Sequence, residues 1–319
     1  MSGTVGNVTI SLNNGSVYTG ALTSSVSPAP TPTPTPVPTS SAPAMAAAVG
    51  YNLRTYGPAV TLNRNWFALS GANVRQNSDG SVTDLGGAPN HWNAHVSTVR
   101  GQSGDFFGVA FGGGGYFEAT FSWVPPSVGY QNVDGWPAWW ATTVEADSFN
   151  NISPLPGNHN LEYDSYEAMN PGDSNEYNAG IIVWDGNGIV YSNNNTGQSG
   201  STHPATSVDV TQKNRVGWLW VPATANSKGY IKNYYNRVQV GNTYTWDRYV
   251  GTSASFAWMD AGHTRLWFGS GTRNPMTVYA VNVWQASDAG NMRVGVPLPS
   301  AALAMEERLA LKVGHHGAG

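Results

Sequence analysis

Between Tyr51 and about Pro299, apolar residues recur at every second position or in short unbroken runs, with Gly, Asn, Asp, Ser and Pro interrupting them at short intervals. The pattern predicts about eleven strands: VTLNRNWFAL, GSVTDLG, DFFGVAFGG, GYFEATFSW, PAWWATTVEA, NLEYDSYEAM, AGIIVWDGNG, NRVGWLWVPA, GYIKNYYNRVQV, TRLWFGSG and MTVYAVNVWQ. Runs such as Gly180-Ile181-Ile182-Val183-Trp184 fit strands covered on both faces, as where two sheets pack together. Helical patterns do not alternate with these strands, which argues against an α/β fold. The expected class is all-β, a two-sheet β-sandwich of jelly-roll type spanning roughly 250 residues.

The flanks read differently. Val8 to Leu12 and Ser16 to Leu22 alternate around Asn13-Asn14-Gly15, a hairpin turn signal. Two strands are marginal alone in water, so this piece is expected to gain order by docking onto its own domain or a larger protein assembly, the alternative being a disordered tail. The Pro-Thr tract from Ser27 to Ala44 can form neither helix nor sheet and reads as a spacer. At ~3.1 Å per residue its Pro28 to Pro43 portion spans roughly 50 Å. Ala301 to Val313, rich in Ala, Leu, Met, Glu, Arg and Lys, predicts one C-terminal helix. The expected organisation is an N-terminal hairpin or anchor segment (1–27), a Pro/Thr-rich linker (28–45), the jelly roll (46–300), and a C-terminal helix and tail (301–319).

Charge narrows the function classes. Only 11% of residues are charged, the net charge is −4 and there are 15 Lys and Arg, with no basic cluster, so nucleic acid is not an expected partner. The absence of Cys excludes disulfides, thiolate metal sites and a Cys nucleophile. No apolar run approaches the roughly 20 residues of a membrane span. Met1-Ser2-Gly3-Thr4 opens neither a charged n-region nor an apolar h-region, so no secretory signal peptide is expected. The 13 Trp and 15 Tyr exceed ordinary packing needs and suit stacking on the C–H faces of sugar rings.

Against this sparse charge stands Glu162-Tyr163-Asp164-Ser165-Tyr166-Glu167, three carboxylates in six residues. Composition alone would produce this spacing in roughly 0.6% of such chains. A solvated sheet margin is the competing reading, but such margins usually carry Lys, and none precedes Lys213. Strand alternation puts Glu162 and Asp164 on one face and Glu167 on the other. A β-bulge at Ser165-Tyr166 would return Glu167 to the face of the first two. Two glutamates sharing a cleft are the apparatus for cutting a glycosidic bond.

Four segments in order then resemble the glycoside hydrolases of family 16, the laminarinase, agarase and carrageenase group with a concanavalin A-like jelly roll. Gly115-Tyr116-Phe117-Glu118-Ala119 is similar to that family's Tyr-Gly-x-Phe-Glu-Ala-Arg strand, and Gly135-Trp136-Pro137-Ala138-Trp139-Trp140 to its Trp-Pro-Ala-Phe-Trp segment. The acid motif matches the bulged signature, and Met276 to Gln285 resembles the closing strand. The resemblance covers most of Tyr51 to Gln285. It implies a retaining endo-β-glycan hydrolase acting on a β-1,3/1,4-glucan or galactan polysaccharide. Glu162 would be the nucleophile, Glu167 the acid/base and Asp164 the residue that tunes them, with Trp136, Trp140 and Glu118 against the substrate. No cofactor or metal is implied, and no dense Asp or Asn loop argues for a structural calcium. The sequence departs from the family at Thr120, where Arg is usual, at Asn214 to Trp220, which lacks a usual His, and at Ser165, where an aliphatic is usual.

The alternative is a catalytically inactive carbohydrate-binding jelly roll. In either case a hairpin on a stiff tether suggests display on a virion or other particle surface, or an extracellular setting.

Overall fold

The computed structural model describes residues 3–11, 17–24, 44–68, 73–85, 95–102, 105–124, 137–144, 160–168, 178–185, 188–194, 209–248, 260, 262–270 and 275–294. The chain falls into two compact units, Met1–Thr39 and Ser40–Gly319. In the first, β1 (Gly3–Ser11) pairs antiparallel with β2 (Val17–Ser24), giving the expected hairpin. The Asn13-Asn14-Gly15 turn, nearly all of the Pro-Thr tract, Trp136 and the predicted C-terminal helix lie outside the described residues.

The second unit opens with a single helical turn, α1 (Ala44–Ala47), followed by β3 (Leu53–Tyr56), β4 (Phe67–Ala68), β5 (Val74–Gln76) and β6 (Val82–Asp84). Next come β7 (His95–Ser97), β8 (Val99–Gln102), β9 (Asp105–Ala110), β10 (Gly115–Trp123), β11 (Pro137–Thr143), β12 (Asn160–Glu167), β13 (Asn178–Asp185) and β14 (Gly188–Asn194). The chain closes with β15 (Asn214–Val221), β16 (Gly229–Tyr235), β17 (Val238–Trp246), β18 (Thr264–Ser270), β19 (Met276–Gln285) and β20 (Met292–Val294). One sheet runs β17-β16-β15-β10-β19-β6-β5, with β3 also on β19, and the other β14-β13-β12-β11-β18-β7-β4. Every pairing between these strands is antiparallel. From β10 onward the chain changes sheet between β10 and β11, β14 and β15, β17 and β18, and β18 and β19, the crossings of a jelly-roll sandwich.

Alternation builds the core. Phe117, Ala119, Phe121 and Trp123 of β10 point inward, and so do Trp139 and Ala141 of β11, Leu161, Tyr163 and Tyr166 of β12, and Val216, Trp218 and Trp220 of β15. Trp218 is central: its ring stacks on Phe117 at 4.9 Å and meets Trp139 at 5.3 Å and Tyr163 at 5.5 Å, tying the two sheets together. A separate cluster, Tyr116, Leu219 and Tyr234 with Ala46 of α1, covers the outer face of the β10 sheet.

One expected strand is two. GYIKNYYNRVQV turns at Asn236 and Arg237, whose φ angles of 46° and 69° make a two-residue hairpin between β16 and β17. The turn lacks the Gly that normally announces it. Asn236 is held instead by its own side chain, which accepts from Arg215 N at 2.8 Å and donates to Asn214 Oδ1 at 2.9 Å. Arg237 is held by Glu118, described below.

Candidate active site

β12 carries the acid row because its ladder skips a residue. Trp139 of β11 faces Tyr166 and Trp140 faces Asp164, so Ser165 has no partner there, and toward β13 the same interruption lies between Asp164 and Glu167. This is the bulge the spacing predicts. Ser165 and Tyr166 both turn into the sandwich, and Glu162, Asp164 and Glu167 share the outer face, opposite Thr142, Trp140 and Ala138 of β11.

The three carboxyls feel one another. Asp164 is buried, and loss of solvation pushes its carboxyl well above the usual range, with the charges of Glu167 and then Glu162 adding to the rise. Its Oδ1 has no hydrogen-bond partner among the described residues. The middle acid thus favours its protonated form more than an ordinary aspartate does, between two half-buried glutamates. The row lies along the strand instead of converging: no three His, Cys, Asp or Glu among the described residues are grouped to hold a metal ion.

Beyond Trp140 lies an aromatic wall. Trp140 stacks on Trp267 of β18 with centroids 5.7 Å apart and planes 7° apart, and the Arg265 guanidinium sits over the Trp267 ring at 4.2 Å. Thr142 Oγ1 accepts from Trp267 Nε1 at 2.8 Å and from Arg265 Nε at 3.1 Å. Thr142 also stands opposite Glu162, so the row Arg265, Thr142, Glu162 brings a cation to one end of the acid row. Sequence reasoning missed Arg265, Trp267 and Thr142. Their signal was the alternation of Arg265 and Trp267 with the inward Leu266 and Phe268, which becomes informative only once β18 is known to pair with β11.

No protein-family model matches the chain, and no curated protein matches it by sequence. Solved structures do. The chain is similar to an endo-1,3-β-glucanase from Streptomyces sioyaensis, at 15% identity over 74% of this chain and 96% of that one, with a TM-score of 0.47. A κ-carrageenase from Pseudoalteromonas carrageenovora, solved with a κ-carrageenan oligotetrasaccharide, matches at 13% identity over 70% and 96%, with a TM-score of 0.36. The carbohydrate recognition domain of Emp46p matches at 12% identity over 70% and 89%, also at 0.36. These likenesses concern the course of the chain, and the chemistry rests on the side chains themselves.

Of the remaining expected site residues, Trp136 lies outside the described residues, and Glu118 is not brought to the acid row. Glu118 points to the outer face of the β10 sheet, 2% exposed. There it accepts from Arg237 Nε at 3.1 Å, Arg237 Nη2 at 3.2 Å and Tyr116 Oη at 3.1 Å. The fork of two bonds offsets the left-handed backbone at Arg237. Thr120 and Asn214 also lie on the β10 and β15 side of the sandwich, away from the acid row. Glu118→Ala is expected to lower stability by about 1.5–3 kcal/mol, because it removes two charge-assisted hydrogen bonds from a half-buried guanidinium at a left-handed turn. Activity per folded molecule should stay the same, checked by urea denaturation beside active-site titration.

The raised Asp164 sets a pH signature. The folded state holds a proton that the unfolded chain releases near its ordinary value, so this stabilisation is complete below ~3.9 and is lost as pH rises through the folded value. Asp164→Asn removes that dependence. Its melting temperature relative to the parent is expected to climb with pH above about 4 and then level off, as read by calorimetry across a pH series.

Proposed function

We propose that the chain is a retaining endo-β-glycan hydrolase. The observation that carries this reading is the bulge that aligns Glu162, Asp164 and Glu167 on one face beside an aromatic wall. Glu162, in register with Thr142 and Arg265, attacks the anomeric carbon as the glycosidic bond breaks, while Glu167 passes its proton to the leaving oxygen. Glu167 then takes a proton from water, whose oxygen displaces Glu162 from the same carbon and restores the original configuration. Asp164, whose buried carboxyl is pushed toward its neutral form by lost solvation and by the charges of Glu167 and Glu162, limits the negative charge that gathers in the row. Trp140 and Trp267, each less than a tenth exposed, form a packed aromatic floor beside the row, and a polysaccharide would meet their edges.

The test is a panel of β-1,3-glucan, β-1,4-glucan, agarose and carrageenan, with reducing ends counted and the first product's anomeric configuration read by NMR. Release with retention supports the reading, and inversion rejects the assigned roles. Binding to a glycan without release on any of the four would make the domain a carbohydrate-binding module.

The β1–β2 hairpin and the tract after it are proposed to tether this domain to a larger assembly, such as a virion or other particle surface, facing external glycan. Deleting residues 1–45 should release the domain from its particle. Undiminished particle association would end that idea. Among the described residues no helix is long and apolar enough to cross a membrane.

A further inference from the structure

The bulge leaves a problem on the core side. Ser165 has no partner on β11 or β13, yet both its hydroxyl and its carbonyl sit in an apolar interior, where unserved polar groups are costly. One side chain from the opposite sheet serves both. Asn233 of β16 accepts from Ser165 Oγ at 2.6 Å through Oδ1, and its Nδ2 donates to the Ser165 carbonyl at 2.9 Å. Asn233 is itself fully buried, at a point where the β16–β17 ladder shifts register between Ile231 and Asn233. The second bulge residue is held too: Trp123 Nε1 of β10 donates to Tyr166 Oη at 2.7 Å.

We propose that Asn233 is a positioning residue for the acid row: by closing a ring of two hydrogen bonds on Ser165 across the sandwich, it locks the bulge that holds Glu167 in line with Glu162 and Asp164. This rests on the hydrolase reading for its catalytic consequence, though not for its geometry. The same ring accounts for the polar residue at 165, where the resembling family carries an aliphatic: an amide opposite it demands a hydroxyl. Without Asn233 the Ser165 carbonyl is orphaned in the core, and the strand relieves it by relaxing the bulge, which swings Glu167 relative to the other two acids.

The experiment compares the full chain with Asn233→Leu, Asn233→Asp and Ser165→Ala. Asn233→Leu is expected to lower kcat about 30- to 100-fold, the scale of an ångström-sized misplacement, while KM moves less than about threefold. Its acid limb in the pH profile should shift, because Glu167 no longer sits at the same distance from Asp164. Ser165→Ala keeps the carbonyl bond and should lose far less. Asn233→Asp retains the size and the acceptor but loses the amide donor, so it serves if the leucine variant fails to fold, with the same direction of effect. A lower melting temperature with kcat and the pH limbs unchanged would make Asn233 a packing residue only and overturn the proposal. Carboxyl-carbon NMR titration of Asp164 supplies an arm independent of turnover. If the parent chain cleaves no glycan, the hydrolase reading fails by itself, and an Asp164 titration identical in parent and variant would still reject the positioning role. A shifted one would uphold it.

Discussion

Glu162→Gln is expected to lower kcat on the responsive glycan by about 10⁴-fold with little change in melting temperature. The side chain is half-buried at the sheet surface, and the amide keeps its shape, so the loss falls on chemistry and not on folding. Glu167→Gln should lose as much on a natural glycan, whose leaving oxygen needs a proton, and much less on an aryl glycoside whose phenolate departs unaided. Small nucleophiles separate the roles further. Azide added to Glu162→Ala enters the vacated space and gives a glycosyl azide of inverted configuration. With Glu167→Ala the nucleophile remains, the covalent intermediate still forms, and azide gives the retained product. Swapped stereochemistry would exchange the two assignments, and more than a tenth of parental activity in both variants would remove them from the mechanism. The Arg265 row makes the asymmetry physical: of the two glutamates, Glu162 lies across Thr142 from a guanidinium, whereas Glu167 lies across Ala138 from Gly269.

How far the sequence reached depends on the range of each signal. The acid row and its bulge were legible because a spacing of two and then three residues conflicts with strand alternation, and one extra residue is the local repair. β10, with its inward Phe117, Ala119 and Phe121, was legible because its alternation is regular. The turn at Asn236-Arg237 was not, because its stabiliser is Glu118, 119 residues away. The same pair explains why Glu118, read as a substrate contact, sits elsewhere: an isolated acid in an apolar strand gives no sign of which cation it meets. Arg265 and Trp267 were hidden by a pairing of β11 with β18 that brings Thr142 and Trp267 together across 125 positions. Asn233 was hidden in the same way. Its strand carries two adjacent polar residues, Lys232 and Asn233, and only the opposing bulge makes the second one necessary. Local periodicity thus predicted most of the long strands and the shared face of the three acids, while VTLNRNWFAL proved to be mostly a turn before the two-residue β4, and the residues that support the acid face came from contacts between distant segments.

Trp218→Ala is expected to cost about 3–5 kcal/mol, a large part of the 5–15 kcal/mol that ordinarily separates folded from unfolded chains. Trp218 is fully buried between the sheets and touches Phe117 on its own sheet and both Trp139 and Tyr163 on the other. Those two residues flank Trp140 and Asp164 on their strands, so the cavity opens directly behind the acid row. Neighbouring strands cannot close it without moving the bulge, which the Asn233 ring resists. The loss should therefore sit near the upper end of the range, and residual activity should fall with it in the surviving folded fraction. Trp218→Phe offers the contrast. The indole Nε1 is buried with no hydrogen-bond partner among the described residues, so phenylalanine gives up ring area and at the same time removes an unserved donor. The two effects oppose each other, and a net cost under about 1.5 kcal/mol is expected. Urea denaturation of both variants measures the difference. Equal losses would mean that the Nε1 has a partner and that Trp218 contributes a hydrogen bond as well as area.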